Sequence, residues 1–192
     1  AIVISITMSV IRNSRPFIVQ VHVYNNYLSD NADVDSLEKE FAAYEDMSLK
    51  DYQISFNLTE YLDFSGSDEA SYTSMMKVMA MAAALDVLGG NTAFVNYYGV
   101  GEEDNTLFAD LEETLPPAFF QYLKEQDRIL YLSRTDEAGK VLGQYAAAID
   151  VSDTRIVNKN CLLGTPCYLG IAVNTSRLQT SIDFLEWIFD YQ

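Results

Sequence analysis

Basic residues, histidine and cysteine are all scarce in this sequence. Its 192 residues hold 12 lysines and arginines against 28 aspartates and glutamates, so the net charge is -16. A surface of that sign repels phosphate backbones, which argues against nucleic acid as a partner. A single histidine, His22, and two cysteines supply too few ligands for a structural zinc site, and we predict neither a metal nor a cofactor.

Sequence motifs of catalysis are missing as well. The chain has no G-x-S-x-G elbow, no P-loop and no G-x-G-x-x-G fingerprint. One histidine on a predicted strand does not make a nucleophile–base pair. We therefore expect that the protein is not an enzyme. A hydrolase with dispersed carboxylates is a distant alternative, because such carboxylates need not be close in sequence.

The two cysteines, Cys161 and Cys167, lie six positions apart in the segment CLLGTPC. Gly164 and Pro166 would let the chain turn back between them. An oxidising compartment would favour a disulfide, and a reducing one would leave two buried thiols. The spacing leaves both alternatives open.

The start of the chain, Ala1 to Ile11 (AIVISITMSVI), is almost wholly apolar. This run is too short to span a bilayer, which takes about 20 residues. It is the end of a membrane anchor, the remnant of a signal sequence, or an element of the domain, and we favour the anchor. We divide the chain into this apolar N-terminal segment, residues 1–15, and a single α/β domain, residues 16–192.

Hydrophobic periodicity predicts strands alternating with helices. Alternation with period two predicts strands at residues 17–24 and 52–58, and a short apolar run predicts a third at 91–98. Helices are predicted at 34–45, capped by Asp33 or Asp35, and at 69–88, capped by Ser67 or Asp68 and ended by Gly89. The second helix is rich in methionine and apolar nearly all round, which predicts that it is buried. His22 falls on the mixed face of the first strand, where it needs no special role.

In the second half of the chain, periodicity and turn signals predict a short helix at residues 118–125 and a hairpin of strands at 129–133 and 145–151. They also predict a closing strand and helix within 168–190. Strand, helix, strand, helix, strand at spacings of about 30 residues is typical of parallel βαβ units. The later hairpin makes the sheet mixed. The predicted fold is therefore an α/β three-layer domain with a mixed sheet around a parallel βαβ core.

Open sheets of this kind bind ligands outside the carboxyl ends of their strands. Three predicted strand ends carry tyrosine beside an amide or a carboxylate, and they define the candidate ligand-binding residues: Tyr24, Asn25, Asn26, Tyr27, Glu60, Tyr61, Asn96, Tyr97 and Tyr98. Aromatic faces with amide groups suit sugars, peptides or other neutral polar ligands. The alternative is that these are ordinary polar loops in a chain with 13 tyrosines.

Three segments carry a resemblance to known proteins. The segment YLGIAVNTSRLQTSIDFLEWIFD (168–190) resembles a strand and helix of extracytoplasmic solute-binding proteins, and GQYAAAIDVSDT (143–154) is similar to their crossover strand. The opening, VQVHVYNNYLSDNADVDSLEKEFAAY, resembles small membrane-anchored proteins of Gram-positive bacteria. Their extracytoplasmic part is a reduced, single-lobe version of that fold. The resemblance covers most of Phe17 to Tyr191.

The resemblance implies a membrane-tethered, extracytoplasmic, non-enzymatic domain on the surface of a Gram-positive bacterium. Its partner would be another membrane or cell-surface protein, and its link to the membrane would lie at or before Ala1–Ile11. The alternative is a true solute receptor for a small polar ligand, serving a transporter. That alternative predicts a pocket walled by Tyr24, Tyr61 and Tyr97. The chain has no room for the second lobe of about 100 residues that encloses such a ligand, which favours the protein partner.

Overall fold

The computed structural model describes residues 15–26, 28, 32–62, 69–82, 84–102, 105–158 and 166–191. Its strands are β1 (Phe17–Tyr24), β2 (Gln53–Glu60), β3 (Val87–Gly90), β4 (Ile129–Thr135), β5 (Val141–Asp150) and β6 (Tyr168–Ile171). Its helices are α1 (Val34–Tyr44), α2 (Glu69–Met81), α3 (Thr92–Gly99), α4 (Leu111–Thr114), α5 (Pro117–Glu125), α6 (Arg155–Asn158) and α7 (Leu178–Ile188).

The six strands form one mixed sheet in the order β2-β1-β3-β6-β5-β4. β1 lies between β2 and β3 and is parallel to both. β6 runs antiparallel to β3, and β5 and β4 continue the sheet in antiparallel pairs. The predicted α/β class, the parallel core and the β4–β5 hairpin are confirmed.

Apolar side chains cover both faces of the sheet. On one face Val19, Val21 and Val23 of β1 belong to a core that also contains apolar residues of α1, α5 and α7. In that core Phe41 of α1 lies 5.4 Å from the Phe184 ring and 5.3 Å from the Trp187 ring, measured between centroids. A second core, which includes buried residues of α2 and α3, covers the other face. Helices on both faces explain why β1 is buried along most of its length.

Local signals located several elements correctly. β1 spans the predicted residues, β2 begins one residue later and ends two residues later, and α5 begins one residue earlier. α1 begins after Asp33, whose side chain accepts a hydrogen bond from the backbone N–H of Ser36 at 2.9 Å. The closing strand and helix are β6 and α7. Ser67 and Asp68, the predicted caps of the next helix, lie outside the described residues.

The predictions for residues 69–98 are partly wrong. α2 ends at Met81 rather than Leu88. The third strand of the chain is Val87–Gly90, just before the predicted position, and residues 92–99 are helix rather than strand. β3 reads VLGG, and a Cβ on Gly89 would lie 1.8 Å from the Tyr168 carbonyl oxygen, so only glycine lets β6 pair this closely. Asn91 follows β3 and caps α3, because its side-chain oxygen accepts a hydrogen bond from the Phe94 N–H at 3.0 Å. An N-cap at this position starts a helix.

The expectation that the methionine-rich helix is buried all round is also wrong. Met76 and Ala80 face the core of the sheet. Met75, Val78 and Met81 are 41%, 63% and 81% exposed. The sheet covers only one side of this helix, so its apolar residues on the other side stay exposed.

The apolar N-terminal segment, Ala1–Ile11, lies outside the described residues. Within those residues, no helix has both the length and the hydropathy needed to cross a bilayer.

Candidate functional site

The carboxyl ends of β1 and β2 lie side by side, as predicted. The parallel register pairs Tyr24 with Glu60, so Asn25 and Tyr61 follow at the same edge of the sheet. Tyr61 is mostly exposed. Tyr27 lies outside the described residues. The structure therefore brings together those residues predicted from the first two strands that it describes.

The two asparagines at this edge hold the chain in place. Asn25 has a φ of 54°, a left-handed conformation that asparagine tolerates. Its N–H donates to the Glu60 carbonyl oxygen at 2.8 Å, and its side-chain oxygen accepts from the Leu62 N–H at 2.7 Å. Asn26 is buried and donates to Cys167 Sγ at 3.1 Å. These amide contacts tie together the ends of β1, β2 and β6.

Tyr24 is part of an aromatic stack inside the domain. It is fully buried, and its ring lies 4.7 Å from the Phe94 ring of α3 and nearly parallel to it. Phe94 in turn lies 5.0 Å from Tyr98. Tyr97 is on the outer side of α3, with its hydroxyl 3.1 Å from Thr73 Oγ1 of α2. Tyr24 and Tyr98 are thus joined through Phe94, while Asn96 and Tyr97 face outward on a helix and not at a strand end.

A polar pair that the sequence did not indicate lies beside Tyr24. His22 is buried, and its Nδ1 lies 3.5 Å from Glu60 Oε2. The Asn57 side-chain nitrogen lies 3.5 Å from both ring nitrogens of His22. The Glu60 side chain is 40% exposed, so the pair reaches from the interior to the surface. The mixed face on which His22 was predicted is covered, because a helical layer lies over it.

The electrostatics of this pair favour a charged Glu60. Hydrogen bonding to His22 lowers the pKa of Glu60, against the smaller opposing effect of burial. Burial raises the pKa of the Tyr24 hydroxyl, and the negative charge of Glu60 raises it further. Glu60 therefore presents a carboxylate to solvent, with a neutral phenol behind it. Such a group accepts hydrogen bonds from a ligand or partner.

The pairing could have been found only by knowing the strand register. His22 stands two residues before the end of β1, and Glu60 is the last residue of β2. The register shifts between His22 and Tyr24, which brings Glu60 opposite Tyr24. Sequence patterns do not report such shifts.

Four surface cavities formed by described residues have volumes of about 150, 230, 240 and 390 Å³, and none of these four is lined by Tyr24, Glu60 or Tyr61. Of the three tyrosines that were expected to wall a pocket, Tyr24 is below the surface, while Tyr61 and Tyr97 are exposed. The described strand ends present Glu60 and Tyr61 to solvent.

Of the two cysteines, Cys167 lies within the described residues. It is buried, and burial raises the pKa of its thiol to about 12. Cys161 lies outside the described residues, so the disulfide stays a prediction. In the part of the chain that is described, no group of three or more histidine, cysteine, aspartate or glutamate side chains is arranged to hold a metal ion.

A second candidate surface is the outer face of α2, formed by Met75, Val78 and Met81. Beside it a cavity of about 150 Å³ opens between α2 and the loops at residues 105–107 and 173–174, and Met81 and Lys77 line it. Lys77 is the one charged residue between positions 70 and 85. Contiguous exposed apolar surface marks sites of interaction with other molecules.

Comparison with protein-family models, with curated proteins and with solved structures finds no match to this chain.

Proposed function

We propose that this chain is a non-enzymatic binding domain, tethered to a membrane on its extracytoplasmic side, that docks on another membrane or cell-surface protein. The apolar run Ala1–Ile11 and the resemblance to single-lobe solute-binding domains support the location. The mixed α/β sheet is of the kind that such a lobe requires. The docking surface is the outer face of α2.

The observation that carries this proposal is the exposure of three large apolar side chains on one helix. Met75, Val78 and Met81 follow one another at intervals of three residues, which places them along one stripe of a helix. Val78, in the middle of the stripe, is 63% exposed. Methionine suits an interaction surface because its flexible thioether adapts to the shape of a partner.

The cavity at the end of this stripe supports a protein partner. Its volume of about 150 Å³ is enough for one apolar side chain. Leu107 and Val173 supply apolar walls, and Asn105 and Lys77 supply a polar rim. Buried anchor side chains that fill such pockets contribute most of the affinity of protein interfaces.

Charge identifies the chemistry of the partner. No carboxylate occurs in the sequence between residues 70 and 85, while the chain as a whole carries 16 more negative than positive charges. A partner that covers the stripe with apolar residues and is positively charged as a whole is favoured, because the chain as a whole is acidic. The matching surface is an apolar patch on a protein of positive net charge.

A photo-reactive residue in place of Val78 tests the proposal in intact cells. We expect it to cross-link one membrane or cell-surface protein, which is then purified and titrated against the domain. Val78→Asp places a charge in the stripe and is expected to weaken binding of that protein at least about tenfold. Leu142, which is 67% exposed on β5, provides matched controls with the photo-reactive residue and with aspartate.

Three outcomes would contradict the proposal: equal cross-linking from positions 78 and 142, undiminished binding by Val78→Asp, or a cross-linked product that is only a second copy of this chain. Thermal unfolding of both aspartate variants checks that neither has lost its fold, which is expected because both positions are exposed.

A further inference from the structure

The cavity of about 390 Å³ lies on the face of the sheet opposite α2. It opens between α1, α6 and the end of α7, and its polar and aromatic lining consists of Glu40, Tyr44, Arg155, Trp187, Asp190 and Tyr191. Its volume falls within the range of about 300–1,000 Å³ that is usual for small-molecule sites. None of these residues belongs to the docking surface on α2.

Three charged groups form a row along this cavity. The Arg155 guanidinium forms an ion pair with the Asp190 carboxylate, and its Nη1 lies 3.9 Å from Glu40 Oε2. A separation of 3.9 Å is too long for a direct N–H···O hydrogen bond, which spans about 2.7–3.2 Å. Both Glu40 and Arg155 therefore keep hydrogen-bonding capacity for a third group. Along the row, Glu40 supplies hydrogen-bond acceptors, Arg155 supplies donors and Asp190 supplies acceptors again.

The aromatic walls of the cavity are held by packing behind them. The Arg155 guanidinium lies over the Trp187 ring, 5.0 Å from its centroid. Tyr44 stacks on Phe41 at 6.1 Å, and Tyr191 packs against Phe119 at 4.8 Å. Tyr44 is 44% exposed, so it offers a free ring face at the mouth of the cavity. A site whose side chains are already fixed loses little conformational entropy on binding.

We propose that this cavity binds a neutral polyhydroxyl ligand, a sugar. Two carboxylates and one guanidinium give the row a net charge of -1, which disfavours anions such as phosphates and carboxylates. An ammonium ligand would satisfy Glu40 and Asp190 but would be repelled by Arg155. Vicinal hydroxyl groups both donate and accept, so one sugar ring can bond to all three side chains and lay its apolar face on Tyr44. The inference is independent of the docking surface on α2.

The chain carries its own reporter for this site, because Trp187 is its only tryptophan. The full chain is titrated with glucose, galactose, mannose, N-acetylglucosamine and maltose up to about 50 mM while Trp187 fluorescence is recorded, a range that detects millimolar dissociation constants. We expect a saturable change with at least one neutral sugar. The cation glucosamine and the anion gluconate are expected to bind at least about tenfold more weakly than that sugar.

Two variants locate the binding. Arg155→Lys keeps the charge but removes the planar fork of donors, and Tyr44→Ala removes one wall, so each is expected to weaken binding at least about tenfold. Tyr131→Ala is the control, since Tyr131 has a similar exposure of 39% but lies on β4. Unfolding curves of all three variants verify their folds.

The proposal is overturned if no neutral sugar gives a saturable change, if a charged analogue binds best, or if Arg155→Lys and Tyr131→Ala bind alike. Failure of this experiment leaves the cross-linking result at Val78 untouched, since the two sites lie on opposite faces of the sheet.

Discussion

Two carboxylates at opposite ends of the parallel strands have different hydrogen-bonding environments. Asp86, just before β3, is fully buried and accepts from the Gln20 N–H at 2.7 Å, Thr175 Oγ1 at 2.6 Å and Arg177 Nε at 2.7 Å. Glu60, at the end of β2, is 40% exposed and has His22 Nδ1 at 3.5 Å. Asp86 accepts three short hydrogen bonds from two other segments of the chain, whereas Glu60 has a longer contact to His22 and is partly exposed to solvent.

The two ends of the parallel strands therefore have different roles. At one end the carboxylate of Asp86 stabilises the fold, and at the other the carboxylate of Glu60 is accessible to solvent. A carboxylate without water is stable only when hydrogen bonds and a counter-charge replace its hydration, and Asp86 has both. Its partners join β1, β3 and the turn after β6. Glu60 keeps part of its hydration, so it is available to a ligand or partner. The end of the strands where the carboxylate stabilises the sheet is therefore the end where that carboxylate is not available to a ligand.

Removing the buried carboxylate should have the largest effect. Asp86→Ala leaves the Arg177 guanidinium without its buried counter-charge and is expected to lower the free energy of unfolding by about 3–5 kcal/mol. Denaturant unfolding measures this loss. The control is Asp153→Ala, which removes an exposed ion pair with Arg128 and should cost less than about 1 kcal/mol. Equal losses would mean that burial does not distinguish the two pairs.

Removing the accessible carboxylate should have a smaller effect that depends on pH. Because the pKa of Glu60 is lowered in the folded protein, its charge stabilises the fold above the unfolded pKa of about 4.3, and this contribution is lost as pH falls through the lowered value. Because solvent screens the exposed part of this carboxylate, Glu60→Gln should cost less than about 1 kcal/mol near pH 6 and less still near pH 3.

Denaturant unfolding of the wild type and of Glu60→Gln at both pH values tests this difference. Glu137→Gln, in the exposed turn between β4 and β5, is the control and, as a surface substitution, should change the free energy of unfolding by less than about 0.5 kcal/mol. A loss from Glu60→Gln that is the same at both pH values would show that the His22 contact does not depend on the charge.

A third carboxylate, Glu45 after α1, should show the smallest effect and the opposite pH dependence. Burial, together with the charge of Asp183, raises the pKa of Glu45 to about 7. A raised pKa favours the protonated folded state, so this contribution is full below about pH 4.3 and is lost as pH rises through 7. Glu45→Gln should be more stable than the wild type near pH 8 by less than about 1 kcal/mol, because solvent screens the charge.

The melting temperatures of Glu45→Gln and of the wild type near pH 8 and near pH 4.5 measure this effect. The variant is expected to gain only at the higher pH. Equal melting temperatures near pH 8 would mean that Glu45 is charged and well solvated in the folded protein, and a gain at the lower pH would mean that its charge is already unfavourable there.

Elements with a local signal were predictable, and those without one were not. The alternation in β1, the Asp33 cap of α1 and the amphipathic spacing of α7 each lie within one segment, and each element formed where its signal predicted. The four residues of β3 carry no strand pattern, because two of them are glycines. Their strand conformation depends on neighbours on both sides, β1 and β6.

The candidate site was predictable only as a location. The carboxyl ends of β1 and β2 follow from the order of strands and helices, so Tyr24, Asn25, Glu60 and Tyr61 were found together. Their accessibility does not follow from that order, because it depends on which side chains the helices cover. Tyr24 is buried against Phe94 of α3, a helix that the sequence pattern had indicated as a strand.

The sequence by itself determined the α/β class, the ends of the strongly periodic elements and the acidic character of the surface, because periodicity, caps and charge are properties of neighbouring residues or of composition. The tertiary structure alone decided which face of α2 is exposed, which strand fills the centre of the sheet and which partner each carboxylate has. Asp86 meets partners that are 66 to 91 positions away in the chain. Contacts of that range depend on strand register and helix packing, which no local pattern encodes.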